Sequence, residues 1–344
     1  MRLDCDLYLR FDGYDELKPI LDAPDEDVLV ALRKPALIRI PGTERRPRAR
    51  FVSALLHGNE DSGYRAVLDL LRGGEHHPFD LWVFIGNVRA AHQEGWFAHR
   101  YLDGQEDFNR TWGLDAPTTR MRRCSDAVFE VLASADLEAA VDIHNNTGLN
   151  PHYAIVPDPT QEAMGLAASM ADTILRWPLR AHTLMEVLSP ICPSVSVECG
   201  LPGVDANHAY AASALRRFLA MESVEDAAVG PRQVFEMQYR IVVRPEVPFA
   251  FGGVLTEELD LVLHPGLDHY NFGMLLAGTE LGRVPEGGGM PLLVTDMKGR
   301  EVNRFFEIRK GRLLVTEDVT PVMLTTTVEQ TRRDCFFYIS RRRV

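Results

Sequence analysis

Three apolar, β-rich segments of the chain each end at a side chain that can bind a metal or transfer a proton. These segments end at the turn His57-Gly-Asn-Glu60, at His144 and at Glu198. Short apolar runs of this kind are typical of buried strands. Because sites in α/β proteins usually form at the carboxyl ends of the strands, we expect these residues to meet at one edge of a sheet.

Segments with a helical apolar periodicity separate the strand-like runs, at residues 64–71, 125–133, 160–176 and 205–220. This alternation predicts an α/β fold, in which a mixed sheet is covered by helices on both faces. From about residue 233 the pattern changes to short β-rich runs broken by Gly and Pro, which predicts a smaller β domain. Since 344 residues exceed the usual size of one core, we expect a catalytic domain over residues 1–232 and a β-rich domain over 233–344.

The residue types at the first two strand ends are those of a catalytic zinc site. His57, Glu60 and His144 offer two imidazoles and one carboxylate, which leaves a fourth position open for water. Glu198, at the end of the third run, is the candidate base for that water. Each of these residues alone has a simpler explanation as a hydrogen-bonded loop residue; the ordered set favours a metal site, and most of that preference comes from the family resemblance described below.

Charge and cysteine usage exclude several other classes of protein. The net charge of −12 opposes binding to nucleic acid or to an anionic membrane, and no apolar run approaches the ~18 residues of a membrane span. The five cysteines contain no C-x-x-C pair, and the N-terminus lacks the pattern of a signal peptide. We therefore predict a cytoplasmic protein, and we expect the basic stretches 45–50 and 341–343 to be solvated surface.

The order of the motifs resembles that of the succinylglutamate desuccinylase and aspartoacylase family, a branch of the zinc carboxypeptidase-like hydrolases. The resemblance covers roughly the first two-thirds of the chain, and a weaker likeness continues beyond it. The motifs that carry it are His57-Gly-Asn-Glu60, Arg100-Tyr101, Asn109-Arg110, Asp142-Ile-His144 and Val197-Glu198-Cys-Gly200.

The resemblance implies a zinc-dependent deacylase that hydrolyses the amide bond of an N-acyl amino acid or a related small amide with a metal-activated water. One Zn²⁺ per chain would be held by His57, Glu60 and His144, and Glu198 would act as general base and then as general acid. The family also implies that Arg100 polarises the scissile carbonyl. Asn109 and Arg110 would together bind a substrate carboxylate.

Departures from the family pattern leave the acyl group open. Residues 100–110 form a longer segment than the usual spacing, no arginine lies between Met185 and Val197, and His144 is followed by Asn145-Asn146. Two other functions remain: a metallocarboxypeptidase that acts on peptide C-termini, and a noncatalytic zinc-binding relict. Homo-oligomerisation is compatible with the sequence.

Overall fold

The computed structural model describes residues 3–4, 6–44, 48–115, 118–224 and 232–343. The chain separates into two compact units. The first comprises Met1–Asn145, His152–Ile174 and Leu179–Arg232, and the second comprises Asn146–Pro151, Leu175–Pro178 and Gln233–Val344. Within the described ranges, every helix is too short or too polar to cross a bilayer.

A mixed β-sheet forms the centre of the first unit, with the strand order β1-β2-β3-β5-β4-β6-β9-β7-β8. Its strands are β1 (Leu3–Asp4), β2 (Leu9–Asp12), β3 (Ala36–Ile40), β4 (Ala49–Ala54), β5 (Asp80–Ile85), β6 (Leu137–His144), β7 (Tyr153–Val156), β8 (Thr173–Arg176) and β9 (Ser194–Glu198). The four neighbouring strands β5, β4, β6 and β9 are parallel to one another. This parallel block is buried, as expected for strands that are covered on both faces.

The carboxyl ends of three neighbouring strands carry the residues singled out in the sequence. His57 follows the end of β4 by three residues, His144 is the last residue of β6, and Glu198 is the last residue of β9. His144 and Glu198 are direct partners in the register of β6 and β9. The prediction that these segments converge at one edge of a sheet is therefore confirmed.

Helices cover both faces of this sheet, which confirms the predicted α/β architecture. The helices are α1 (Tyr14–Leu21), α2 (Asp25–Leu32), α3 (Asp61–Gly73), α4 (Val88–Ala91), α5 (Arg120–Ala133), α6 (Gln161–Met170), α7 (Leu184–Leu188) and α8 (Asp205–Ala220). Phe51 of β4 lies in a buried cluster with Val128 of α5 and Leu184 of α7. Arg50 points to the opposite face because side chains alternate along a strand, and there it bonds Phe218 of α8.

The expectation of a solvated surface for residues 45–50 is wrong for Arg50, whose side chain is 1% exposed. Its guanidinium donates to Glu138 Oε2 at 3.0 Å and to the carbonyls of Phe218 and Met221 at 2.8 and 2.7 Å. These carbonyls flank the end of α8, where backbone acceptors lack helical partners. Arg50 is therefore a buried C-terminal cap, and residues 45–47 lie outside the described part of the chain.

The predicted helix over residues 160–176 is only partly correct. Thr160 caps α6 as expected, because its hydroxyl oxygen accepts a backbone N–H of the first turn at 3.2 Å. The helix ends at Met170, and Ala171 has extended backbone angles of φ −142° and ψ 150°. Thr173–Arg176 then forms β8, since its β-branched residues favour a strand. The apolar residues of this strand had also fitted the helical periodicity.

The second unit consists mainly of β-strands, as the β-rich pattern after residue 233 predicts. In one sheet β10 pairs with β14 and β18, and β18 pairs with β17, all antiparallel; the other has the order β11-β12-β13-β16-β15. The elements are β10 (Gln233–Val243), β11 (Phe249–Phe251), β12 (Leu261–Leu263), β13 (Glu280–Arg283), β14 (Leu292–Asp296), β15 (Phe306–Arg309), β16 (Arg312–Val315), β17 (Thr320–Val322), α9 (Val328–Arg333) and β18 (Phe337–Arg343).

Two details of the second unit go beyond the sequence pattern. The arginines at 341–343 are exposed, as predicted, and they belong to β18, where they pair with residues 234–236 of β10. Asn271 holds the segment Asn146–Pro151: its Nδ2 donates to the carbonyls of Leu149 and Leu324, both at 2.9 Å, and its Oδ1 accepts from Leu324 N at 2.8 Å.

Candidate metal centre

His57, Glu60 and His144 form a buried cluster of potential metal ligands in the first unit. Glu60 lies between the two imidazoles, with Oε1 at 2.7 Å from His57 Nδ1 and Oε2 at 2.7 Å from His144 Nδ1. One donor atom from each residue lies within 4.8 Å of the other two. The structure therefore brings together the three residues that the sequence predicted as ligands.

The turn that carries His57 and Glu60 is closely packed at Gly58. A Cβ atom at this position would lie 2.6 Å from Ala90 Cβ and 2.6 Å from the carbonyl oxygen of His99. The Gly58 N–H also donates to the carbonyl of Arg100 at 2.9 Å. Glycine is thus required here by close backbone approach, which ties the ligand turn to the segment that leads to Arg100.

A second carboxylate supports each imidazole on the side away from Glu60. His57 Nε2 lies 3.0 Å from Asp107 Oδ1, and His144 Nε2 lies 2.5 Å from Asp142 Oδ2. Metal-bound histidines usually donate their other ring N–H to a carboxylate or carbonyl, which fixes the ring and its tautomer. With Nε2 protonated, both histidines direct the Nδ1 lone pair to the same place.

No role was predicted for Asp107 from the sequence, and Asp142 was noted only as part of the motif Asp142-Ile-His144. Asp142 stands two residues before His144 in the same strand, so side-chain alternation puts both on one face. Its other oxygen accepts a hydrogen bond from Ser53 Oγ at 2.7 Å. Asp107 precedes the 3₁₀ turn Phe108–Arg110 in a segment without strand or helix periodicity, and no sequence signal singled it out.

Electrostatic interactions keep the cluster charged despite its burial. Burial raises the pKa of Glu60, but His57 and His144 outweigh it and hold that pKa well below its usual range. Burial likewise raises the pKa of Asp107, and His57 with Arg100 more than reverses the effect. Both carboxylates are therefore ionised at neutral pH, the form in which a carboxylate binds a metal or accepts a hydrogen bond from a ligand histidine.

Glu198 has the opposite electrostatic character. It is 8% exposed, and burial is the largest cause that raises the pKa of its carboxyl group to about 8. The neighbouring carboxylates of Glu60 and Asp142 raise this pKa further, and His144 lowers it. A carboxyl group with a pKa near the working pH can both accept and return a proton.

Arg100 lies against the ligand cluster. Its Nε and Nη2 donate to Asp107 Oδ2 at 3.2 and 3.0 Å, and its Nη1 donates to Glu60 Oε1 at 3.4 Å. The side chain retains 11% exposure. A guanidinium in this place carries a permanent positive charge that a developing oxyanion can use.

Asn109 and Arg110 differ in how their side chains are engaged. Asn109 is buried; its Oδ1 accepts from the backbone N–H of Leu184 at 3.0 Å and its Nδ2 lies 3.3 Å from His144 Nε2. The Arg110 guanidinium donates to the carbonyl of Asn109 at 2.9 Å and is partly exposed. The two residues thus lie next to the candidate ligands, and the grip on a substrate carboxylate stays a prediction for both.

Residues 48–183 match the family model of the succinylglutamate desuccinylase/aspartoacylase catalytic domain. Over these residues the chain is similar to the catalytic domain of that family. The matched segment contains His57, Glu60, His144, Arg100 and the pair Asn109-Arg110, whereas Glu198 lies beyond it. No curated protein sequence was found that matches the chain.

Solved structures of similar fold cover most of the chain. The succinylglutamate desuccinylase from Chromobacterium violaceum is 16% identical, with 90% of this chain and 88% of that chain covered and a TM-score of 0.56. The succinylglutamate desuccinylase/aspartoacylase from Rhodobacter sphaeroides is 15% identical, with 89% and 88% covered and a TM-score of 0.59. Murine aminoacylase 3 is 17% identical, with 88% and 97% covered and a TM-score of 0.53. At these identities the likeness establishes the fold.

Proposed function

We propose that the chain is a zinc-dependent hydrolase that cleaves the amide bond of an N-acyl amino acid or a related small, carboxylate-bearing amide. The observation that carries the proposal is the buried set of His57, Glu60 and His144 beside Glu198, a carboxyl group with a pKa near neutrality. The match of residues 48–183 to the family model supports an amide substrate, and solved structures of similar fold that are named for acylated amino acids support the substrate class.

The residues present fit a zinc ion. Two imidazoles, each with its Nε2 against a carboxylate, and one carboxylate are a common donor set for catalytic zinc. We assign one Zn²⁺ per chain to His57, Glu60 and His144. When bound, such an ion acts as a Lewis acid and lowers the pKa of a water in the site.

The proton transfers fall to Glu198. As its carboxylate, it accepts the proton of the water that attacks the amide carbonyl carbon. As its carboxylic acid, it then gives the proton to the amine nitrogen when the C–N bond breaks, so the products are a carboxylic acid and a free amine. Burial of Glu198 favours this second, neutral form and therefore keeps the proton available for the leaving group.

Two arginines complete the proposed mechanism. Arg100 would donate hydrogen bonds to the oxygen of the scissile carbonyl as negative charge develops there, after a small shift away from Glu60. Arg110, which is partly exposed, would bind the carboxylate of the amino acid with its planar guanidinium. For Asn109 we propose a positioning role, because its amide already contacts His144 and Leu184.

We further propose a cytoplasmic location. The described cysteines, Cys124, Cys192, Cys199 and Cys335, are buried free thiols. Proteins of oxidising compartments usually carry disulfides, whereas free thiols are typical of reducing ones.

The test is amine release from a panel of N-succinyl, N-acetyl and N-formyl amino acids and of short peptides, measured for the zinc-loaded protein. Glu198→Gln removes the proton acceptor with little change in shape, and we expect it to retain zinc while turnover falls by roughly 10²–10⁴-fold. Glu222→Gln, an exposed change of the same chemistry in the same unit, is the matched control and should leave turnover unchanged.

Three results would contradict the proposal in different ways. A Glu198→Gln protein with full turnover would remove Glu198 from the mechanism. Activity confined to the peptides would identify a carboxypeptidase. A wild-type protein that binds zinc and releases no amine from any compound would support the metal site and contradict the proposed substrate class.

A further inference from the structure

A large cavity in the first unit lies apart from the metal ligands. It has a volume of about 950 Å³, within the range of about 300–1,000 Å³ that small-molecule sites occupy. Of the described residues that line it, none is His57, Glu60, His144 or Glu198. Its apolar wall includes Leu7, Leu9, Leu32, Phe108 and Met121.

The side chains around this cavity carry a net positive charge, whereas the chain as a whole is net negative. Four basic side chains line it, from Arg33, Lys34, Arg89 and Arg120, against the single carboxylate of Glu106. The net charge of the chain is −12, so the excess of basic residues at this cavity differs from the charge of the protein as a whole. The arrangement favours an anionic ligand.

Glu106 has basic and hydrogen-bonding partners, whereas Arg33 and Arg89 have no acidic partner among the described residues. Glu106 already accepts hydrogen bonds from Arg122 Nε at 2.8 Å and from the Thr119 hydroxyl. Among the described residues, neither Arg33 nor Arg89 has a carboxylate within ion-pair distance. The carboxylate is thus neutralised by its own neighbours, and two positive charges remain for a ligand.

The first turn of α5 adds to the positive potential. Thr119 caps this 14-residue helix through a bond from Arg122 N at 3.2 Å, and the first turn contains no acidic residue. Thr119 and Arg120 both line the cavity. The positive end of the helix dipole therefore faces the same space as the arginines.

We propose that this cavity binds a small anionic amphiphile, in which a carboxylate or phosphate contacts the basic residues and an apolar body packs on the leucines. The combination of a large apolar wall with Arg33 and Arg89, which have no carboxylate partner among the described residues, fits both parts of such a molecule. A purely polar anion would leave the wall in contact with water, and a neutral apolar molecule would leave the arginines unused.

Because of where the cavity lies, a bound ligand should affect substrate binding at the proposed catalytic site. Gln105 and Asn87 line the cavity; Gln105 Oε1 accepts from Leu102 N at 2.9 Å, and Asn87 Nδ2 lies 3.5 Å from the carbonyl of Arg100. A ligand would therefore touch the residues that hold the segment carrying Arg100. This consequence rests on the proposed hydrolase function, whereas binding itself does not.

Binding is tested by calorimetric titration of the full chain with decanoate and with octyl phosphate, both below their micelle concentrations. Decanamide, which has the same apolar body and no charge, is the matched ligand. We expect saturable binding of one anion per chain, and binding of decanamide that is at least tenfold weaker. The double variant Arg33→Gln/Arg89→Gln should bind the anions roughly three- to tenfold more weakly. Arg123→Gln, on α5 outside the cavity lining, should bind them as the wild type does.

Met121→Trp, which fills the cavity from a partly exposed position, should abolish binding and leave the thermal unfolding of the protein close to wild type. Failure of both anions to bind, equal binding of decanamide, or unchanged binding by the double variant would overturn the site. In the second arm, decanoate should change the KM of the wild type for its N-acyl substrate and not that of the double variant. Binding without any such change would overturn the effector role alone, and absence of turnover would count against the proposed function while the titration still decides the site.

Discussion

Replacement of Asp142 by asparagine tests whether the carboxylates behind the two histidines set the metal affinity. Asp142 is fully buried and contacts His144 Nε2 at 2.5 Å and Ser53 Oγ at 2.7 Å. Asparagine keeps the shape and one acceptor oxygen for His144, and it loses the negative charge. The change therefore isolates the electrostatic part of the support.

The expected magnitude follows from the kind of hydrogen bond that is lost. A hydrogen bond to a charged group contributes about 1.5–3 kcal/mol and a neutral one about 0.5–1.5 kcal/mol. The difference of roughly 1–1.5 kcal/mol corresponds to about a tenfold loss in zinc affinity for Asp142→Asn. Asp142→Ala removes both bonds and should approach a hundredfold loss.

Competition with a fluorescent zinc chelator measures both affinities directly. Asp80→Asn is the matched control, since Asp80 is also hydrogen-bonded, to Arg39 Nε at 2.8 Å and Gly42 N at 2.7 Å, and has no contact with the ligand cluster. If Asp142→Asn and Asp80→Asn bind zinc equally well, the carboxylate behind His144 does not tune the metal and the reasoning fails.

Three stability and site predictions follow from packing. Arg50→Met should lower the free energy of unfolding by about 3–5 kcal/mol in urea titrations, because it leaves the buried carboxylate of Glu138 without its charged partner. A loss below 1 kcal/mol would contradict the role of Arg50 as a helix cap. Gly58→Ala should reduce zinc content and melting temperature together, because its Cβ would meet the His99 carbonyl; retention of both would show that the turn can relax. Asn271→Ala removes three hydrogen bonds and should lower the free energy of unfolding by about 1–3 kcal/mol. The loss would be measured as faster amide exchange in the second unit. Unchanged exchange would show that Asn271 does not hold the segment Asn146–Pro151 in place.

The ends of the buried strands could be predicted from the sequence because two signals coincide there. An apolar run stops, and a residue with donor chemistry follows, as at His57, His144 and Glu198. Parallel strands then bring such ends to one edge of a sheet, so the sequence predicts that these residues lie close together. Most of the case for a metal site came from the family resemblance. The positions of α3, α5 and α8 followed from the helical periodicity in the same way.

The supporting residues could not be predicted because their roles depend on partners far away in sequence. Arg50 looks like part of a basic surface run until Glu138, 88 residues later, and the end of α8 are placed beside it. Asp107 contacts His57 across 50 residues and lies in an irregular segment. Such long-range pairs leave no local pattern, whereas Asp142, two residues from His144, was within reach of the alternation argument.

Glu60 and Glu198 show how one residue type takes two roles in a single site. Both are buried, and burial alone would raise the pKa of each. Glu60 lies 2.7 Å from Nδ1 of each histidine, which reverses that effect and keeps it an anion suited to a metal ligand. For Glu198 the nearby carboxylates add to burial, and the pKa reaches about 8. Pairs of carboxyl groups whose pKa values are driven apart are characteristic of sites that need one fixed charge and one mobile proton. This separation supports the proposal that Glu60 binds the metal and Glu198 transfers the proton.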